Sequence, residues 1–158
     1  MKRFFLLFLL IVPLCVFFSC STKKYAPDPY ANSIRPSIYG EWVLRSMKDS
    51  DSTYEITSEV TLVFPEKPRN GLHGSAGVNF YNGTADITDK GFFCGTIAVT
   101  SMFGDEEDME TEANFLRLLK LCDTISVETL PPADKERLEM RLLVLSNNAE
   151  AVRLEFVQ

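Results

Sequence analysis

Leu138-Glu139-Met140-Arg141-Leu142-Leu143-Val144 and, after a polar break, Val152-Arg153-Leu154-Glu155-Phe156-Val157 decide the fold class. In the first run Leu138, Met140, Leu142 and Val144 alternate with Glu139, Arg141 and Leu143. In the second, Val152, Leu154 and Phe156 alternate with Arg153, Glu155 and Val157. A period of two marks a β-strand with one apolar face. Asn147-Asn148 lies between the runs and tolerates the positive φ of a tight turn, so the pair reads as a hairpin. Pro131-Pro132 separates it from a strand around Ile125 to Glu128.

Upstream of that strand the period changes. Met109, Ala113, Leu116, Leu119 and Cys122 recur at helical spacing, with Phe115 and Leu118 widening the face. Asp105 is placed to cap this helix. The acids of its first turn and the cations Arg117 and Lys120 near its end match the helix dipole. Before the helix the pattern is again extended: Glu41 to Met47 with Trp42 and Leu44 on one face, Val60 to Phe64, Leu72 to Ala76, Thr84 to Thr88 with Ala85 and Ile87 on one side, and Phe92 to Val99. Asn70-Gly71, Asn82-Gly83 and Asp89-Lys90-Gly91 read as the turns between them. The expectation is a mainly β (α+β) domain. About seven to eight short antiparallel strands curl into a barrel-like sheet that removes exposed edges, with one packed helix.

The amino terminus has a different character. Lys2 and Arg3 precede an unbroken apolar run from Phe4 to Phe18, followed by Ser19-Cys20. As a helix the run spans roughly 23 Å, short of the ~30 Å hydrocarbon core, and it contains Pro13. This is the layout of a cleaved lipoprotein signal, residues 1–19, with Cys20 as the site of lipidation. Several acyl chains such as palmitate, each buried CH₂ contributing ~0.8 kcal/mol, hold a protein to a membrane effectively permanently. Ser21 after the cysteine favours the outer membrane, by resemblance to the sorting rule of enteric bacteria. Residues 20–37, interrupted by Pro27, Pro29 and Pro36, read as the lipidated cysteine and a flexible tether, and residues 38–158 as the domain.

The chain has 16 basic and 22 acidic residues; without Lys2 and Arg3 its net charge is about −8. That balance argues against nucleic acid and against a basic grip on anionic lipid. Asp105 to Asp108, Glu110 and Glu112 concentrate the acid, which reads as solvated surface at a helix start and lacks the glycine-centred loop of a calcium hand. Cys94 and Cys122 remain in the domain. They read either as two buried thiols or, after export to an oxidising compartment, as a disulfide. Neither has a second ligand at metal spacing, so no metal and no cofactor is expected.

Gly71-Leu72-His73-Gly74-Ser75-Ala76-Gly77-Val78-Asn79-Phe80-Tyr81-Asn82-Gly83 resembles the central motif of the META domain family, which includes the HslJ-type heat-shock lipoproteins of bacterial envelopes. Thr100-Ser101-Met102, Glu112-Ala113-Asn114-Phe115-Leu116, Trp42 and the terminal hairpin fit the same pattern, over roughly residues 39–157. The resemblance implies a compact barrel-like domain with a packed helix and no established catalytic activity. Two departures stand out. Val78 and Gly104 occupy the positions where the motifs Gly-Cys-Asn and Thr-x-Met-Ala-Cys carry cysteines, so both are absent together.

Gly74, Gly77 and Gly83 suit bends and bulges. Asn79 and Thr100 can bond backbone groups left unpaired at irregular positions, with Met102 in the same loop. The other reading of these residues is a ligand-contacting loop around Asn79 and Tyr81. His73 is the only histidine. Ser75 shares its strand face, but no nucleophile elbow surrounds that serine, so no catalytic set is assigned. The function expected is that of a membrane-anchored envelope lipoprotein, non-enzymatic, serving stress response or interaction with an envelope protein. The alternatives are a small apolar ligand held in the mouth of the sheet, or inhibition of an envelope enzyme through an exposed loop such as Asp49 to Thr53.

Overall fold

The computed structural model describes residues 34–88, 91–130 and 139–158. The signal at 1–19, Cys20, most of the tether, Asp89-Lys90 and Pro131-Pro132 lie outside the described residues. After a single helical turn α1 (Arg35–Ile38), nine strands and one long helix follow: β1 (Gly40–Lys48), β2 (Thr53–Tyr54), β3 (Thr61–Phe64), β4 (Gly71–Ser75), β5 (Phe80–Thr88), β6 (Gly91–Val99), α2 (Glu106–Leu121), β7 (Thr124–Leu130), β8 (Met140–Asn147) and β9 (Val152–Val157). All pairings are antiparallel, in the order β6-β5-β4-β3-β1-β9-β8-β7, with β2 added to β1. The first strand thus lies in mid-sheet between β3 and the last strand.

The sheet curls into a half-barrel. Its edges β6 and β7 approach each other where Phe92 N–H donates to the Asp123 carbonyl at 2.8 Å. Gly91 permits this approach, since a Cβ there would stand 2.3 Å from the same carbonyl oxygen. Helix α2 links β6 to β7 and packs into the concave side. Phe115, Leu118 and Leu119 are fully buried among Trp42, Tyr81, Leu143, Leu154 and Phe156. The Phe115 ring lies 5.6 Å from that of Tyr81 and meets Phe156 edge-on at 6.4 Å. Burial of each such side chain contributes roughly 1.5–3 kcal/mol. Trp42 donates its indole N–H to the Ile38 carbonyl at 2.7 Å, so the largest core side chain carries no unmet donor.

Five local expectations are corrected. Asn82-Gly83 is not a turn but the middle of β5, paired with His73 and Leu72 on one side and with Ala98 and Ile97 on the other. A Cβ on Gly83 would meet the Thr96 carbonyl at 2.4 Å, and the pairing with β6 shifts register just beyond it. The glycine therefore marks a bulge. The chain turns instead at Ala76–Asn79, closed by Ala76 N–H on the Asn79 carbonyl at 2.7 Å. In β8 it is Leu143 and Leu145 that enter the core, opposite Phe156 and Leu154, while Met140 is exposed. In α2 Ala113 is exposed, and the face toward the sheet runs through Thr111, Glu112, Phe115, Leu118 and Leu119. Asp105 precedes α2 without a side-chain capping bond. At the last hairpin positive φ falls on Ala151, not on the asparagines; Asn147 Oδ1 instead accepts from the N–H groups of Ala149 and Glu150. No helix among the described residues is long and apolar enough to cross a membrane.

Candidate functional site: the Asn79 junction

Asn79 lies just before β5, where the chain has left the β4 ladder, and is almost wholly buried. Its side chain makes four hydrogen bonds. The Nδ2 amide donates to Glu112 Oε1 at 3.0 Å and to the Met102 carbonyl at 3.1 Å. Oδ1 accepts from the Thr100 hydroxyl at 2.8 Å and from Met102 N–H at 2.7 Å. Its backbone N–H donates to Glu112 Oε2 at 2.7 Å. A side-chain amide has two donors and two acceptor sites, and all are used here. One residue therefore joins three segments: the β4–β5 turn, the loop from β6 to α2, and the second turn of α2.

Glu112 is buried in consequence, unlike the exposed acids at the start of its helix. Both its carboxylate oxygens are bonded, which a buried anion requires. Thr100 continues the network: its hydroxyl accepts from Phe80 N–H at 3.1 Å, and its own N–H donates to the Phe80 carbonyl at 3.0 Å. Gly104 completes the loop, with a Cβ there 2.4 Å from Val78 Cγ2.

The remaining sequence candidates fall around this junction. Tyr81 points into the core and donates its hydroxyl to the Thr61 carbonyl at 2.8 Å; burial drives its phenol well above the ordinary range. Gly74 lies against the same carbonyl, at 2.1 Å from a would-be Cβ. Gly77 has φ +118°, a conformation closed to most residues with a side chain. Met102 is held through its backbone while its side chain reaches solvent. Cys94 and Cys122 are free, buried thiols, pushed up to about 11 and about 12, first by desolvation.

His73 and Ser75 border one shallow depression of about 270 Å³ with Glu41 and Tyr81. Ser75 Oγ is engaged with both the N–H and the carbonyl of Gly77 at 3.3 Å. Among the described residues no group of three or more His, Cys, Asp or Glu side chains is arranged to hold a metal ion.

A second junction was not anticipated from the sequence. Asp49 accepts from the Tyr54 hydroxyl at 2.7 Å, from the N–H groups of Asp51 and Ser52 at 3.0 Å, and from Arg117 at 3.0 Å. The Tyr54 hydrogen bond, then the other donors, hold its carboxyl far below the usual carboxylate range. The loop from Asp49 to Thr53 is thereby tied to α2. Beside it, Glu55, Thr57, Glu107, Glu110 and Asn114 help line a cleft of about 280 Å³.

The chemistry of both junctions is that of a clamp. Both hold strands, loop and helix together, and at Asn79 every side-chain donor and acceptor is consumed in doing so. Comparison with known proteins agrees with this fold. A protein from Burkholderia xenovorans, solved by NMR, is similar over 87% of this chain and 94% of its own, with 21% identity and a TM-score of 0.59. That likeness speaks to the fold. No curated protein matches. The model of the META domain matches residues 36–158, nearly the whole of the described barrel, and the chain belongs to the META domain family.

Proposed function

We propose that this protein is a lipid-anchored component of the bacterial cell envelope whose META domain acts by binding a protein partner and not by catalysis. Its amino terminus supports the anchor: a basic start, a short apolar run and Ser19-Cys20. The observation that carries the domain's role is the saturation of Asn79. The Asn79 side chain spends every one of its hydrogen bonds inside the fold. What the domain offers to other molecules is therefore its outer surface. The interior does not favour the ligand-carrier alternative, because Trp42, Tyr81, Phe115 and Phe156 occupy it.

The test is membrane fractionation with metabolic labelling by an alkyne fatty acid. The native chain is expected in the membrane fraction, carrying label. Cys20→Ser is expected without label and released by the treatment that frees peripheral proteins. Label on the Cys20→Ser chain, or native protein recovered in the cytosol, overturns the proposal.

A further inference from the structure

The loop between β6 and α2 presents an aromatic ring to solvent from a fixed backbone. Phe103 is 97% exposed, and Met102 next to it in the chain is 46% exposed. Single exposed apolar residues are ordinary on protein surfaces; this one is held in place. Met102, on one side of Phe103, has both its N–H and its carbonyl bonded to the Asn79 amide. Gly104, on the other side, packs its backbone against the Val78 methyl groups. A ring displayed from a rigid loop loses little freedom on binding, and exposed aromatics of this kind serve as anchors of interfaces.

The surroundings of the ring identify what it meets. Immediately after Gly104, Asp105, Glu106, Glu107 and Glu110 line an open depression of about 530 Å³. Glu107 and Glu110 also line the adjoining cleft toward Thr57. Among the described residues no basic side chain lines either hollow. The surface beside the ring is thus acidic over the first two turns of α2.

Charge complementarity selects among occupants. An anionic lipid surface would be repelled by these carboxylates. A second copy in a two-fold contact would set the same acidic patch against itself. A segment with an apolar residue flanked by lysines or arginines meets both features at once. We propose that the Phe103 loop and the acidic start of α2 form a docking surface for a basic peptide segment of a partner protein. Its apolar residue stacks on Phe103, and its cations lie in the hollows lined by Glu107 and Glu110. This rests on the binding role proposed above and names the surface and the partner's chemistry.

The experiment is selection from a random linear peptide display library on the detergent-solubilised full chain, followed by fluorescence anisotropy with the strongest selected peptide. Selected sequences are expected to carry an aromatic or leucine flanked by Lys or Arg, with affinity that falls as salt rises. Phe103→Ser is expected to weaken that peptide by about tenfold or more, and Glu107→Gln/Glu110→Gln by a similar factor, as an anchor and its charged rim do. Both variants alter exposed side chains, and unchanged circular dichroism verifies their folding. Three results overturn the proposal: selected peptides without basic residues, equal binding to Phe103→Ser, or capture of the loop by another occupant. The last is read as Phe103-dependent self-association in sedimentation, or as Phe103-dependent binding to phosphatidylglycerol vesicles. Anchoring is read separately by fractionation of Cys20→Ser, so failure of the peptide test leaves the location of the protein untouched.

Discussion

Val78 Cγ2 lies 2.4 Å from the point where a Cβ on Gly104 would stand, and Val78 Cβ lies 3.3 Å from it. The two positions where the family motif carries cysteines are thus neighbours in space. The valine here fills the room that the glycine leaves. Gly104→Ala is expected to destabilise the domain by roughly 1–3 kcal/mol through overpacking. Val78→Ala/Gly104→Ala should recover part of that loss. The measurement is urea unfolding of the three variants; an unchanged midpoint for Gly104→Ala sinks the packing claim.

The same geometry predicts a cross-link. Paired Cβ atoms in disulfides stand about 3.8 Å apart, a relaxation of a few tenths of an ångström from the present spacing. Val78→Cys/Gly104→Cys should oxidise spontaneously and gain about 3 kcal/mol over its reduced form, given the length of loop closed. Unfolding with and without reductant measures the difference, and non-reducing mass spectrometry identifies the pair.

Removing the Asn79 side chain deprives the buried Glu112 carboxylate, the Thr100 hydroxyl and Met102 N–H of partners together. Asn79→Ala is expected to cost about 3 kcal/mol, and Glu112→Gln a comparable amount, because both carboxylate oxygens accept from Asn79 and the glutamine amide would set a donor against a donor. Hydrogen exchange should show the segment from Thr100 to Gly104 losing protection in Asn79→Ala while β8 and β9 keep theirs. Equal loss everywhere would mean that the junction is no local clamp.

Much of the sheet was legible because burial on one face writes a period of two. Trp42 and Leu44, Ala85 and Ile87, and Val152, Leu154 and Phe156 all point inward as their alternation implies. The strand β8 misled because it is apolar on both faces, so its pattern does not say which set enters the core. Two-residue β2 has no pattern at all; it exists through Asp49 and Arg117. Glu112 could not be told from the solvated acids around it, since its burial depends on a partner 33 residues away. Asn79 was recognised as a bonding residue, but its partners were set by tertiary contact. Nothing in the sequence distinguished Phe103, whose exposure follows from how its neighbours are tied down.

Asp49 gives a pH signature. Its folded carboxyl titrates well below the ordinary value of about 3.9, so its contribution to stability is complete above that value. That contribution declines as pH falls from there toward the folded value. Asp49→Asn is expected to be less stable than the native chain by a constant amount from neutral pH down to about 4, with the gap narrowing at lower pH. Thermal unfolding across that range tests it. A gap independent of pH would show that the loop is held by something other than the charge.

Desolvation raises the Cys94 and Cys122 thiols to about 11 and about 12, so at pH 8 nearly all of each is protonated. Iodoacetamide is expected to leave both unmodified in the folded domain and to label both after guanidinium unfolding. Rapid native labelling of either would contradict its burial.

The position of β1 sets the order in which the molecule can become itself. The strand of Trp42 is among the first of the domain to be synthesised, yet one of its flanks is completed only by residues 152–157 at the far end of the chain. Without β9 the centre of the sheet stands open as an edge. Among the described residues the two halves of the sheet also meet at Phe92, whose N–H donates to the Asp123 carbonyl, and through the packing of α2. Closing the sheet therefore brings together residues as far apart in sequence as Val43 and Val157, and loss of β9 would leave a sticky ribbon where the native protein has a keystone.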